Sequence, residues 1–169
     1  MEISLRYFHD LTPDSIYSLL KDVYTTSDSM SESFAEKFPD ENSCFQYFSD
    51  LLNLPGGIVL FAEIEGIPAG YLVVKPRHQA NIRHTSELNM GVRSKYRGKG
   101  VGGFLLLNAL KMAVSSKEIE IIYLMVRADN IPAIKLYKKF GFEKLALLER
   151  DTKINGNYYD GIFMRKFIF

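Results

Sequence analysis

The sequence predicts an α/β fold: a single domain over residues 1–169 with a mixed, largely antiparallel sheet, a parallel pair at its centre and helices on its flanks. The apolar runs Leu88 to Val92 and Ile119 to Val126 read as strands, and the run between them, Phe104 to Val114, reads as a helix. Strand, helix, strand in that order implies parallel neighbours joined by a right-handed crossover. Hairpin signals lie on either side. Ile58 to Ile64 and Ala69 to Val74 flank the turn Glu65-Gly66, and Phe142 to Arg150 and Tyr158 to Phe167 flank Asn155-Gly156. The chain is 47% hydrophobic and has no repeat, low-complexity tract or interdomain linker, as expected for one continuous core.

The elements follow in order. Ile3, Leu5 and Tyr7 alternate with polar residues, as in a half-buried strand. Thr12-Pro13-Asp14 starts a helix, with Thr as cap and Pro at the first helical position, and Ile16, Leu19, Leu20 and Val23 form its apolar stripe. A polar stretch, Thr25 to Ser33, precedes one or two helices that run to about Leu52, with Phe45, Phe48, Leu51 and Leu52 on one face. Pro55-Gly56-Gly57 breaks the chain before the first hairpin, and a longer strand is predicted from Ile82 to Val92. In the next helix Gly103, Leu106, Leu107, Leu110, Ala113 and Val114 are expected on the buried face. Ile119 to Val126 is nearly continuous apolar sequence, the pattern of a strand covered on both faces. Asn130 can cap the following helix, Pro132 is tolerated in its first turn, and Gly141 ends it.

Composition narrows the function. A net charge of +1 gives no electrostatic case for nucleic acid. Cys44 is the single cysteine, and His9, His78 and His84 lack ligand spacing, so neither a disulfide nor a metal site is expected. No signal peptide and no apolar run near the ~20 residues of a membrane span is present, and a cytoplasmic protein is the expectation.

The most informative stretch is Arg97-Gly98-Lys99-Gly100-Val101-Gly102, between strand and helix. Glycine lets the backbone approach a ligand closely. The first amides of the next helix have no intrahelical acceptor, and the helix end carries partial positive charge. The combination is a diphosphate cradle, with Arg93, Lys95, Arg97 and Lys99 around it. A P-loop would need Lys and then Ser or Thr after the last glycine, and here Gly103 and Phe104 follow. Gly98-x-Gly100-x-x-Gly103 matches the letters of the dinucleotide fingerprint, with Glu118 at a suitable distance, but Arg93 to Arg97 separate the first glycine from the strand.

Arg97, Gly100 and Gly102 fill a third pattern, which resembles motif A of the GNAT superfamily of acyl-CoA N-acyltransferases. Asn130, Ala133, Leu136, Tyr137, Gly141 and Phe142 resemble its motif B in order and spacing. The resemblance is strongest from Glu87 to Phe142, continues as a closing hairpin to about Met164, and before Leu60 is one of element arrangement only. It implies that the two parallel strands splay apart to admit acetyl-CoA, the co-substrate, with no metal. Backbone amides of Arg97, Gly98, Lys99, Gly100, Val101, Gly102 and Gly103 would then hold the pyrophosphate, and backbone groups of Met90, Gly91 and Val92 the pantetheine and the thioester carbonyl. Asn130 would contact the cofactor besides capping its helix, Tyr137 would protonate the departing thiolate, and Glu87 would act as general base. Against these stand a core tyrosine with a satisfied hydroxyl and a solvent-facing strand glutamate. In one departure, Met125 stands where ribosomal-protein N-terminal acetyltransferases of the family carry a glutamate. The expected reaction is direct attack of a primary amine on acetyl-CoA, with a small-molecule amine favoured over a protein amine. The alternative is a non-catalytic acyl-CoA sensor of the same fold. A homodimer is compatible with the resemblance. The segment Asp28 to Asp50 is acidic (Asp28, Glu32, Glu36, Asp40, Glu41, Asp50 against Lys37) and rich in aromatics, which would suit a cationic acceptor.

Overall fold

The computed structural model describes residues 1–169. The elements are β1 (Ser4–Tyr7), α1 (Pro13–Thr26), α2 (Phe34–Lys37), α3 (Glu41–Leu52), β2 (Ile58–Ile64), β3 (Ile67–Pro76), β4 (Thr85–Val92), α4 (Val101–Ser116), β5 (Ile121–Arg127), α5 (Ile131–Lys139), β6 (Glu143–Ile154) and β7 (Asn157–Phe167). One sheet contains all strands in the order β1-β2-β3-β4-β5-β7-β6. Every neighbouring pair is antiparallel except β4 and β5, as the strand–helix–strand order requires. No helix is long and apolar enough to cross a membrane.

Local signals set the element ends. Thr12 Oγ1 accepts from the Ser15 amide (3.2 Å), with Pro13 at the first helical position. Both hairpin turns place two successive residues at positive φ, Glu65 and Gly66 at 51° and 78°, Asn155 and Gly156 at 50° and 82°, the twist that two-residue β-hairpins favour. The β4 strand starts at Thr85 and not at Ile82, because a turn closed by the Thr85 amide on the Ile82 carbonyl (2.9 Å) occupies the preceding residues.

The core has two parts, one on each side of the sheet. Side chains of β2, β3, β4, β5 and β7 pack with α4 and α5 on one side. On the other, Ile16, Leu19, Leu20 and Val23 of α1 and Cys44, Phe48 and Leu51 of α3 meet Val59, Phe61, Tyr71 and Val73. The α4 helix turns a different face inward from the one its sequence suggests. Val101, Leu105, Leu106, Ala109 and Ala113 are buried, whereas Leu107 and Val114 are 44% and 47% exposed. The helix is apolar around most of its circumference, so its pattern leaves the buried row undecided. Nor is β5 covered on both faces. Ile122, Leu124 and Val126 are buried, but on the opposite face Met125 is 45% exposed, since α1 and α3 cover only the β2–β3 half of that side.

The feature that positions the site is a break between β4 and β5. They pair only through Thr85↔Ile121, Ser86↔Ile122 and Glu87↔Tyr123. From there β4 stays with β3 as far as Gly70↔Val92, and β5 stays with β7 as far as Arg127↔Gly161. Ser86 Oγ donates to the Ile121 carbonyl (3.1 Å) where the strands are still joined. The sheet therefore opens as a V, with its vertex at Glu87 and Tyr123 and its mouth beyond Val92 and Arg127.

Candidate active site

The glycine loop forms one side of the mouth. After β4 the Arg93 amide donates to the Ala69 carbonyl (2.8 Å), a short turn over Ser94–Tyr96 buries Tyr96, and α4 begins at Val101. Gly98 and Gly100 have φ of 72° and 86°, a backbone that side-chain-bearing residues avoid. Phe104 is the first amide to donate within the helix, to the Gly100 carbonyl (3.0 Å). The amides of Gly98 to Gly103 have no acceptor in the chain, so a run of donors and the positive end of α4 coincide. A Cβ on Gly98 or Gly100 would meet no atom within 4 Å, which leaves the space above these amides free for a ligand. Gly102 serves packing, because a Cβ there would lie 2.8 Å from Met90 Cε and 3.1 Å from Leu136 Cδ2.

Arg97 is placed differently from the other predicted loop residues. Its guanidinium donates to the Val92 carbonyl (3.1 Å), the Thr26 carbonyl (3.2 Å) and Thr26 Oγ1 (2.8 Å). Its own amide faces the Ser94 carbonyl (3.4 Å). Arg97 therefore braces the loop against the end of α1, and the free amides start at Gly98. Lys95 and Lys99 are exposed and flank the Tyr96 ring at 5.5 Å and 5.7 Å, so they are the cations left at the rim.

From the mouth toward the vertex the β4 arm carries Val92, Gly91 and Met90, none of them paired to β5. Gly91 is required by packing: a Cβ would fall 2.4 Å from Val23 Cγ1 and 2.9 Å from Tyr71 Cε1. Glu87 lies at the vertex and faces away from the α4 side. Its carboxylate is 67% exposed and pairs with Arg77 at 3.4 Å, and Arg77 also lies over the Tyr123 ring at 5.5 Å. Asn89, on the same face, accepts from the Tyr71 hydroxyl at 3.5 Å.

Tyr137 lies on α5, in the core on the α4 side of the sheet. It is 8% exposed, and its ring meets Phe142 edge-on at 5.7 Å. Burial raises its phenol well above the ordinary value of 10.0, and no hydrogen bond within the chain offsets that shift. It is thus a protonated donor at neutral pH, and the Tyr71 phenol is likewise held well above its ordinary value, by burial first and then by the neighbouring tyrosines Tyr24, Tyr47 and Tyr137. Asn130 caps α5: its Oδ1 accepts from the Ala133 amide at 3.4 Å, which leaves the side-chain NH₂ free.

The opposite face of the V holds an open groove of about 370 Å³ between the α1–α2 segment (Tyr24, Asp28, Met30, Glu32) and the β6–β7 turn (Lys153, Asn155). Beside it Tyr24, Phe38, Tyr47 and Tyr71 wall a narrow crevice that Lys37 closes, its Nζ 4.9 Å from the Tyr47 ring and 3.8 Å from Glu32. Of the acidic side chains in this segment, Glu36 is committed to the Ser33 amide (2.8 Å) as the N-cap partner of α2, while Asp28 and Glu32 face the groove. Sequence reasoning passed over Arg127. Its side chain is 7% exposed at the end of β5, where it forks onto Asp129 (2.8 Å and 2.6 Å) and donates to the Asp28 carbonyl. A lone arginine at a strand end carries no local signal for that role.

A sheet opened between its parallel strands, with free amides at the start of the crossover helix, is the arrangement that the resemblance to acyl-CoA N-acyltransferases implies, and comparison with known proteins agrees. Residues 14–142 match the acetyltransferase (GNAT) family. The L-amino acid N-acetyltransferase AaaT of Escherichia coli is 31% identical over 116 residues, 69% of this chain and 72% of that protein. An N-alpha-acetyltransferase of Sulfolobus acidocaldarius is 36% identical over 119 residues, 64% of this chain and 70% of that protein. The fold is that of a GNAT superfamily phosphinothricin acetyltransferase from Sinorhizobium meliloti solved in complex with acetyl-CoA, with a TM-score of 0.86 and 22% identity over 99% of this chain and 89% of that one. The chain belongs to the GNAT family of acetyltransferases and is an N-acetyltransferase.

Proposed function

We propose that the chain acetylates the α-amine of a small amino-acid-like acceptor, which attacks acetyl-CoA directly. The observation that carries this reading is the V between β4 and β5: unpaired strand at Met90 to Val92 and free amides from Gly98 to Gly103 at its mouth, with a buried, protonated tyrosine on the α5 helix that follows β5. The positive-φ glycines with open space above them fit a diphosphate. Acetyl-CoA supplies an activated acetyl thioester. Gly98 to Gly103 hold its diphosphate, with Lys95 and Lys99 adding charge. Met90, Gly91 and Val92 offer backbone groups to the pantetheine and to the carbonyl oxygen as negative charge develops there. Tyr137 donates its phenolic proton to the leaving sulfur, and Glu87 takes the proton that the amine loses, directly or through water. Asn130 fixes the start of the helix that carries Tyr137 and offers its amide to the cofactor.

The preference for an α-amine rests on the relatives, one named for L-amino acids and the other for N-alpha positions, and on a groove lined by carboxylates (Asp28, Glu32) and a cation (Lys153), which suits an acceptor bearing both an ammonium and a carboxylate. The test is thiol release from acetyl-CoA with a panel of free L-amino acids, tetrapeptides with free N-termini, and amines without an α-carboxyl such as putrescine. Acetylation of the L-amino acids is expected. Turnover confined to putrescine-like amines refutes the α-amine assignment, and acetyl-CoA binding without turnover on any acceptor favours the non-catalytic sensor.

A further inference from the structure

The C-terminal end of α1 spans the mouth of the V and is gripped from both arms. On the β4 side the Ser94 amide donates to the Asp22 carboxylate (2.9 Å), and Arg97 donates to the Thr26 carbonyl (3.2 Å) and hydroxyl (2.8 Å). On the β5 side Arg127 donates to the Asp28 carbonyl and lies 3.8 Å from its carboxylate. Two arginines, one from each arm, thus hold residues two apart in the chain.

Arg127 is the more informative of the pair. Its guanidinium forks onto Asp129, reaches the Asp28 carbonyl, and lies 3.8 Å from the centre of the Tyr159 ring. A planar, delocalised cation with donors on several sides can make all these contacts together, and an ammonium cannot. The contacts run to different walls of one groove. Asp28 leads into the segment with Met30 and Glu32, and Tyr159 belongs to the hairpin whose turn supplies Lys153 and Asn155. No other ion pair or side-chain hydrogen bond ties Ser27–Ser33 to β5, β6 or β7. The Ser27–Ser29 hydroxyl contact (2.9 Å) and the Ser33–Glu36 capping box are local. The Arg127 carbonyl also accepts from the Asn130 amide (2.9 Å), so the same residue sets the start of α5.

We propose that Arg127 is a positioning residue for the acceptor: it fixes both walls of the groove at a set distance from the strand arms that hold the thioester. This rests on the reading that the groove takes the acceptor amine. A mobile Ser27–Ser33 segment would bind acceptor less well and leave the cofactor loop untouched, since Arg97 holds that loop independently.

The test compares wild type with Arg127→Met, which keeps length and loses the donors, and Arg127→Lys, which keeps charge and loses the fork. The readouts are hydrogen exchange across residues 27–33 in the free protein and steady-state constants for acetyl-CoA and for the best acceptor of the L-amino-acid and tetrapeptide panel. In both variants exchange at 27–33 should quicken, acceptor KM should rise by about tenfold or more, and acetyl-CoA KM should stay within about twofold. Should Arg127→Met not fold, Arg127→Lys carries the same readouts. Unchanged exchange at 27–33 in a folded variant overturns the proposal, because Arg127 then does not hold the segment. Faster exchange with unmoved acceptor KM overturns it differently: the segment is held by Arg127, but the acceptor does not use the groove.

Discussion

Replacing Gly100 with Asp separates the role of the glycine loop in folding from its role in binding. Gly100 has φ +86°, and a Cβ there would touch nothing within 4 Å. The folded chain therefore loses only the cost of a left-handed residue, about 1–2 kcal/mol and less for Asp than for most residues. At about 2–4 °C per kcal/mol for a chain of this length, the melting temperature should fall by only a few degrees. Binding should suffer far more. The new carboxylate stands among the free amides of Gly98 to Gly103, where the diphosphate is to sit. Unit charges about 5 Å apart repel by about 1 kcal/mol in water and about 3 kcal/mol at an effective dielectric of 20, and the diphosphate carries more than one charge. A loss of about a hundredfold or more in acetyl-CoA affinity follows. Gly66→Asp is the control: Gly66 has φ +78° and equally open space, but lies in the β2–β3 turn. Calorimetric titration and thermal melts on both variants decide the matter. If Gly100→Asp binds acetyl-CoA like wild type while both proteins melt alike, the loop is not the cradle.

Tyr137→Phe keeps the ring against Phe142 and removes the phenolic proton, so kcat should fall by about 10²–10⁴-fold with acetyl-CoA affinity nearly intact; an unchanged kcat with chemistry rate-limiting would mean that the thiolate is protonated elsewhere. Gly91→Ala forces a methyl to within 2.4 Å of Val23 Cγ1, and thermal melts should show a loss of about 1–3 kcal/mol as α1 is pushed from the sheet. Burial raises the phenols of Tyr24, Tyr47, Tyr71 and Tyr137 above their ordinary 10.0, Tyr24 to about 12. The unfolded chain releases these protons first, so the stability they confer is complete below pH 10 and is lost as pH rises toward and beyond 12, a slope that denaturant midpoints measured across that range should show.

What was legible in the sequence is what short stretches of chain determine for themselves. The Asn130 cap, the Glu65-Gly66 and Asn155-Gly156 turns and the positive-φ glycines of the loop each depend on a few consecutive residues, and each stands where the sequence puts it. The inward face of α4 was not legible, because leucines, methionine and valine leave its circumference nearly uniform and the sheet makes the choice. The same holds for the site. The end proposed for the cofactor is backbone, and glycine spacing specifies backbone locally. The groove proposed for the acceptor is set by side chains meeting across the fold: Arg127 bonds Asp28 over 99 positions, as Arg97 bonds Thr26 over 71 to brace the glycine loop. An arginine at a strand end looks the same whether it is solvated or buried under a distant loop, so its sequence neighbours cannot report the contact. The reading of the acceptor end therefore depends on long-range contacts, and the reading of the cofactor end on local ones. That division explains why the proposed chemistry starts from the glycines, whereas the proposed choice of amine rests on the relatives and on the groove lined by Asp28 and Glu32.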